Sequence, residues 1–154
     1  MGTVKSVLAD DVQQVTGSAL QGALVDLIDL SLTGKQAHWN VTGRTFKQVH
    51  EHLDELIAET RESSDSVAER AVMIGLNPDG RVETVARSTS LPALEPGYLP
   101  EDKVIAAITQ QLAAVIGRMR VRIAETEPDP VTQDLLIGIT AGLEKQHWMF
   151  SVQQ

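Results

Sequence analysis

Between residues 7 and 37 the apolar positions Leu20, Leu24, Leu27, Ile28 and Leu32 recur at steps of three and four, the period of a helix with one buried stripe. Residues 40–45 break that pattern with Gly43 between two threonines, and Thr45 followed by Gln48 has the spacing of a capping box, so a second helix starts there. Val49, Leu53, Leu56, Ile57, Val67, Ala71 and Ile74 carry its stripe as far as Gly75, and Asn77, Pro78 and Gly80 end it after roughly 30 residues. The stretch 76–99 is too long for an idle connection in a compact domain, and 81–87 has room for two turns of a crossing helix. Pro100, Glu101 and Asp102 open a third long helix, ahead of Val104, Ile105, Ile108, Leu112, Val115 and Met119, which runs to about Thr126. Asp129 and Pro130 repeat that start before Leu135, Leu136, Ile139, Leu143 and Phe150 on a fourth.

No strand alternation or internal repeat interrupts this series, so the fold class is all-α and residues 1–154 form a single domain, with 1–6 as a short N-terminal tail. Four long helices with one connection far longer than the others match a four-helix bundle with a crossover, the ferritin-like arrangement, with a short extra helix in the second-to-third connection. Composition narrows the function. Cysteine is absent, which removes disulfides, thiolate metal sites and cysteine nucleophiles, and fits a reducing, cytoplasmic setting. No secretory leader is visible, and no apolar stretch approaches the ~18 residues that suggest a membrane span. The formal net charge of −8 favours attraction of cations over phosphate. The first nine residues hold one basic residue, Lys5, and 149–154 hold none, so no basic DNA-binding extension is expected. Arg118, Arg120 and Arg122 cluster on the third helix, and they read as ion pairs at a subunit interface rather than as phosphate contacts.

The second helix carries a further, polar strip. With His50 as origin and about 100° per residue, Asp54 lies at about 40°, Asp65 at about 60° and Glu69 at about 100°. His50 with Asp54, and Asp65 with Glu69, are i,i+4 pairs that each present two ligands to one ion. The pairs are roughly 16 Å apart at ~1.5 Å per residue, whereas metal–ligand bonds are about 2 Å, so one chain cannot close a site with both. An antiparallel two-fold crossing of this helix on its copy near Glu59 and Thr60 would face His50 and Asp54 of one chain with Asp65 and Glu69 of the other. His38 sits at the end of the first helix, within reach of the His50 end. Nitrogen and oxygen ligands of this kind suit iron, with zinc or manganese as substitutes. Spacing alone leaves a solvated polar face equally open.

The run Lys35-Gln-Ala-His-Trp-Asn40, then Gly43, Phe46, His50-Glu-x-Leu-Asp54, Asp65-x-x-Ala-Glu-Arg70 and Gly75, resembles the signature of the Dps family of mini-ferritins, and the helical layout is similar over nearly the whole chain. The resemblance implies ferroxidase ligands His38, His50 and Asp54 from one subunit with Asp65 and Glu69 from its dimer partner. It places Trp39 near the iron and Lys35 in the same segment. It further implies a dodecameric homo-oligomer built from two-fold dimers, in which iron and hydrogen peroxide are substrates and a ferric mineral is stored, giving protection against oxidative stress. Asp134 matches the family's pore position, with Asp129 and Glu127 nearby. The chain departs from DNA-binding members in lacking a lysine-rich extension, so direct DNA binding is not expected. Two rival readings are a DNA-compacting nucleoid protein and a di-iron site inside one bundle. The latter needs two Glu-x-x-His motifs, and only Glu144 to His147 has that spacing.

Overall fold

The computed structural model describes residues 4–154, so the first three residues of the expected tail lie outside the described residues. The chain forms α1 (Asp10–Asn40), β1 (Val41–Thr42), α2 (Phe46–Met73), α3 (Val82–Ser88), β2 (Leu99–Pro100), α4 (Glu101–Glu125) and α5 (Pro130–Ser151). This is the expected all-α bundle of four long helices, with the short α3 inside the long connection. α1 packs chiefly on α2 and α4 on α5, and the two hairpins close around one core containing Leu20, Leu27, Leu53, Ile108, Leu136 and Phe150. The strands were not foreseen. β1 and β2 are two residues each and pair in parallel, Val41 with Leu99 and Thr42 with Pro100, which ties the α1–α2 turn to the start of α4.

Helix ends follow from local chemistry. α2 closes on Gly75, whose φ of +84° is open to glycine, while Leu76 N–H bonds the Ala71 carbonyl and Gly75 N–H bonds that of Val72. At the start of α3, Asp79 accepts from the Arg81 guanidinium, the Thr84 hydroxyl and the Arg81 N–H, which together hold its carboxyl well below the usual carboxylate range. Ahead of α2, however, Thr45 makes no side-chain cap, so the expected capping box does not form. The carboxylate of Glu101 on α4 takes the Thr45 N–H instead, at 2.7 Å.

Three expectations about faces are corrected. Leu32 is 53% exposed, because it lies about 120° around α1 from Leu20, and Ser31 occupies the buried position beside it. Arg118 and Arg122 are not reserved for an interface. Both bond the buried carboxylate of Asp26 on α1, at 2.9 and 2.7 Å, while Arg120 pairs with Glu144 on α5. By length and composition α1 and α4 are apolar enough to cross a membrane, contrary to the expectation of no such stretch. Their apolar residues supply much of the bundle core, and the Asp26 cluster joins the two helices.

Candidate metal centre

The α1–α2 turn folds the end of one helix onto the first turns of the next, and this brings His38 and His50 together. Their rings stack with centroids 3.5 Å apart and planes 21° off parallel. Each Nδ1 lies 2.9 Å from the other residue's backbone carbonyl. A carbonyl only accepts, so each Nδ1 is the protonated nitrogen and donates, and each Nε2 is left with a free lone pair. That is the arrangement of a metal-binding imidazole held in one tautomer by a backbone partner. His38 is buried, and the side chain of Phe46 flanks His50 at 5.3 Å.

Asp54, one turn after His50, stands beside this pair. Its Oδ1 accepts from Lys35 Nζ at 2.6 Å and lies 3.3 Å from His38 Nδ1. The Lys35 hydrogen bond lowers the Asp54 pKa, desolvation opposes it, and the Lys35 charge adds to the lowering, as do His38 and His50 whenever they are protonated. The folded value is depressed, so Asp54's contribution to stability is fully present above the ordinary carboxylate value and is lost only as pH falls through the lowered one. Lys35 thus holds the cation position beside Asp54. Replacing it with Met is expected to tighten Co(II) binding by up to about fivefold, the worth of one exposed ion pair that the metal otherwise has to displace. A Co(II) titration giving unchanged or weaker affinity would mean that the lysine assists the metal instead.

Asp65 and Glu69 are exposed on the same face of α2 but do not approach these three residues. Among the described residues, no three histidine or acidic side chains within the chain are close enough to hold an ion. The candidate ligands on this strip therefore fall into two separate groups within the chain. Asp65 rims a cleft of about 360 Å³ walled by Leu24, Ile28, Ala68 and Pro78. At the level expected for the crossing, neither Glu59 nor Thr60 lies free on the strip face. Thr60 is buried and bonds the carbonyls of Leu56 and Ile57, and Glu59 turns away to accept from Gln146 on α5. At that level the strip face is carried by Ala58 and Arg61, both exposed. A small residue there leaves room for a second helix to approach.

The other candidates divide. Trp39 is 66% exposed beside His38, so packing within the chain does not account for it. Asp129 is buried, and within the chain its carboxylate is bonded by Arg70 at 2.9 Å and by the Thr132 hydroxyl. Asp134 and Glu127 remain exposed. Trp148 is 61% exposed, and Glu144 of the lone Glu-x-x-His motif is taken by Arg120. Sequence reasoning missed the Glu101 bond to the turn. The acidic start of α4 was visible, but the partner of that carboxylate lies 56 residues away.

Comparison with known proteins agrees with this fold. The model of the ferritin-like domain matches residues 17–153. DNA protection during starvation protein 2 of Deinococcus radiodurans is 37% identical over 84% of this chain and 54% of its own length, so the chain spans about half of that relative. The DNA protection during starvation protein of Agrobacterium fabrum is 30% identical over 94% of this chain and 90% of its own length. Among solved structures, the Dps from Microbacterium arborescens in the high iron form superposes with a TM-score of 0.92 at 31% identity, covering 97% of both chains. A ferritin-like match across nearly the whole bundle, together with full-length relatives of one kind, places this chain in the Dps family.

Proposed function

We propose that this protein oxidises Fe(II) at sites completed between two copies of the chain, with hydrogen peroxide as preferred oxidant, and keeps the product as ferric mineral inside a dodecameric shell. Ferritin-like Dps proteins serve generally in iron storage or DNA protection, and the finer reading rests on the half-site. The observation that carries it is the pair of imidazoles whose Nε2 atoms are freed by reciprocal backbone bonds next to an ionised Asp54. Nitrogen ligands favour Fe(II), and the carboxylates of Asp65 and Glu69 from a partner would hold the harder Fe(III). Zinc or manganese fit the same ligands as substitutes.

The electron balance is simple. Two Fe(II) each give one electron to one peroxide, whose O–O bond breaks, and the resulting oxygens leave as oxide and hydroxide on the ferric product while water supplies the remainder and releases protons. Delivering both electrons at one place avoids the one-electron step that yields hydroxyl radical. That supports a protective role without DNA contact, in a protein carrying a formal charge of −8 and working in the cytoplasm. Asp134 and Glu127 are the exposed acids proposed to line an entry pore.

The test adds Fe(II) anaerobically to metal-free protein, then peroxide to one sample and oxygen to another, following ferric absorbance and the elution of iron on a sizing column. Fast peroxide-driven oxidation, with iron travelling at the size of a shell, is expected. Slow oxidation with iron precipitating away from the protein would end this reading, and strong retardation of DNA at low salt without divalent metal would favour the compaction reading.

A further inference from the structure

We propose that Glu101 is a positioning residue for the metal half-site, acting through the α1–α2 turn on His38 and His50; the proposal rests on the iron-site reading above. α2 has no acidic residue in its first turn and no side-chain cap from Thr45, so its leading N–H groups are open to a partner from elsewhere. Glu101 supplies it. Its Oε2 accepts the Thr45 N–H at 2.7 Å, and the same carboxylate lies where a side chain on residue 43 would sit. Gly43, with φ +146°, is what leaves that space.

The turn is held at a second point by the pairing of β1 with β2, where the Thr42 hydroxyl also bonds the Leu99 carbonyl at 3.2 Å. Beyond these two anchors, the turn is spanned by the reciprocal bonds between His38 and His50. Each imidazole is oriented by the backbone at the other's position. A shift of the α2 start relative to the α1 end therefore changes both ring orientations together and moves the Nε2 atoms apart. Glu101 touches no ligand, but it fixes the register of the two peptide segments that do the orienting. Outer partners of this kind typically change metal affinity by about 10- to 100-fold when removed.

The experiment titrates Co(II) into the metal-free assembled protein and reads its d–d absorption, alongside amide hydrogen exchange over residues 41–50. Glu101→Ala is expected to weaken Co(II) binding by about tenfold, alter the d–d bands and speed exchange in the turn. Glu101→Gln keeps an acceptor oxygen and should restore all three readouts. Asp102→Ala removes a neighbouring charge from the same helix start and should leave them unchanged, which separates the bond from the helix dipole. Should Glu101→Ala fail to assemble, Gly43→Ala displaces the carboxylate from the other side and is expected to weaken Co(II) binding equally. Wild-type affinity and spectrum in Glu101→Ala would overturn the proposal even if the turn exchanges faster, because the carboxylate would then only stabilise the fold. A different result, in which His50→Ala leaves wild-type Co(II) binding untouched, would remove the iron-site reading itself and this inference with it.

Discussion

Subunits carrying His50→Ala, co-assembled in equal amounts with subunits carrying Glu69→Ala, are expected to recover about a quarter of the wild-type sites, although each variant alone loses Fe(II) oxidation on the order of 100-fold. The reasoning is geometric. In the proposed two-fold dimer each site would take its histidine half from one chain and its acid half from the other. A mixed dimer then holds one site with both lesions and one with neither, and random pairing makes about half of the dimers mixed. The single-variant losses follow because His50 would supply a freed Nε2, and Glu69 is one of the two acids proposed for the opposing half. The rates are read by stopped-flow ferric absorbance after unfolding and co-refolding the mixture. A mixture no faster than its components would refute the shared site, and a single variant at wild-type rate would strike its residue from the ligand set.

This prediction depends on a feature that was legible in the sequence because it is local. The i,i+4 pairs and the 11-residue gap between Asp54 and Asp65 set two candidate ligand pairs on one helix face, and α2 runs unbroken from Phe46 to Met73 through both. Helix existence was legible for the same reason, since the three-and-four spacing of Leu20, Leu24 and Leu27 is a property of neighbours. Where sequence reading went astray, the deciding partner is remote. Thr45 and Gln48 have capping-box spacing, yet the Thr45 N–H is taken by a carboxylate 56 positions on. Asp129 looked like a free acid at a helix start, yet Arg70, 59 positions before it, encloses it. Lys35 was seen in its motif, but its contact with Asp54 depends on how the turn closes. Leu32 shows a different limit, since a step of four from Ile28 continues a stripe on paper while the accumulated rotation carries it out of the core.

Asp26→Ala is expected to destabilise the protein by about 3–5 kcal/mol, because it removes a carboxylate that two arginines share in a largely buried setting. For a chain of this size that corresponds to a fall in melting temperature on the order of 10 °C. Asp26 itself is 3% exposed, and Arg122 reaches it by lying across the α1 backbone at Gly22. A Cβ on residue 22 would stand 2.7 Å from Arg122 Nη2 and 3.0 Å from its Nε, too close for the guanidinium to stay where Asp26 holds it. Helix propensity alone argues the other way, since alanine in place of a mid-helix glycine gains roughly 0.5–1 kcal/mol. The two effects separate in a double-mutant cycle. With Asp26 present, Gly22→Ala should lower the melting temperature despite its better propensity. In the Asp26→Ala background Arg122 is free to swing out, and the same substitution should raise it. If Gly22→Ala is stabilising in both backgrounds, the arginine is not pinned across α1, and the loss in Asp26→Ala has to be assigned to Arg118 alone.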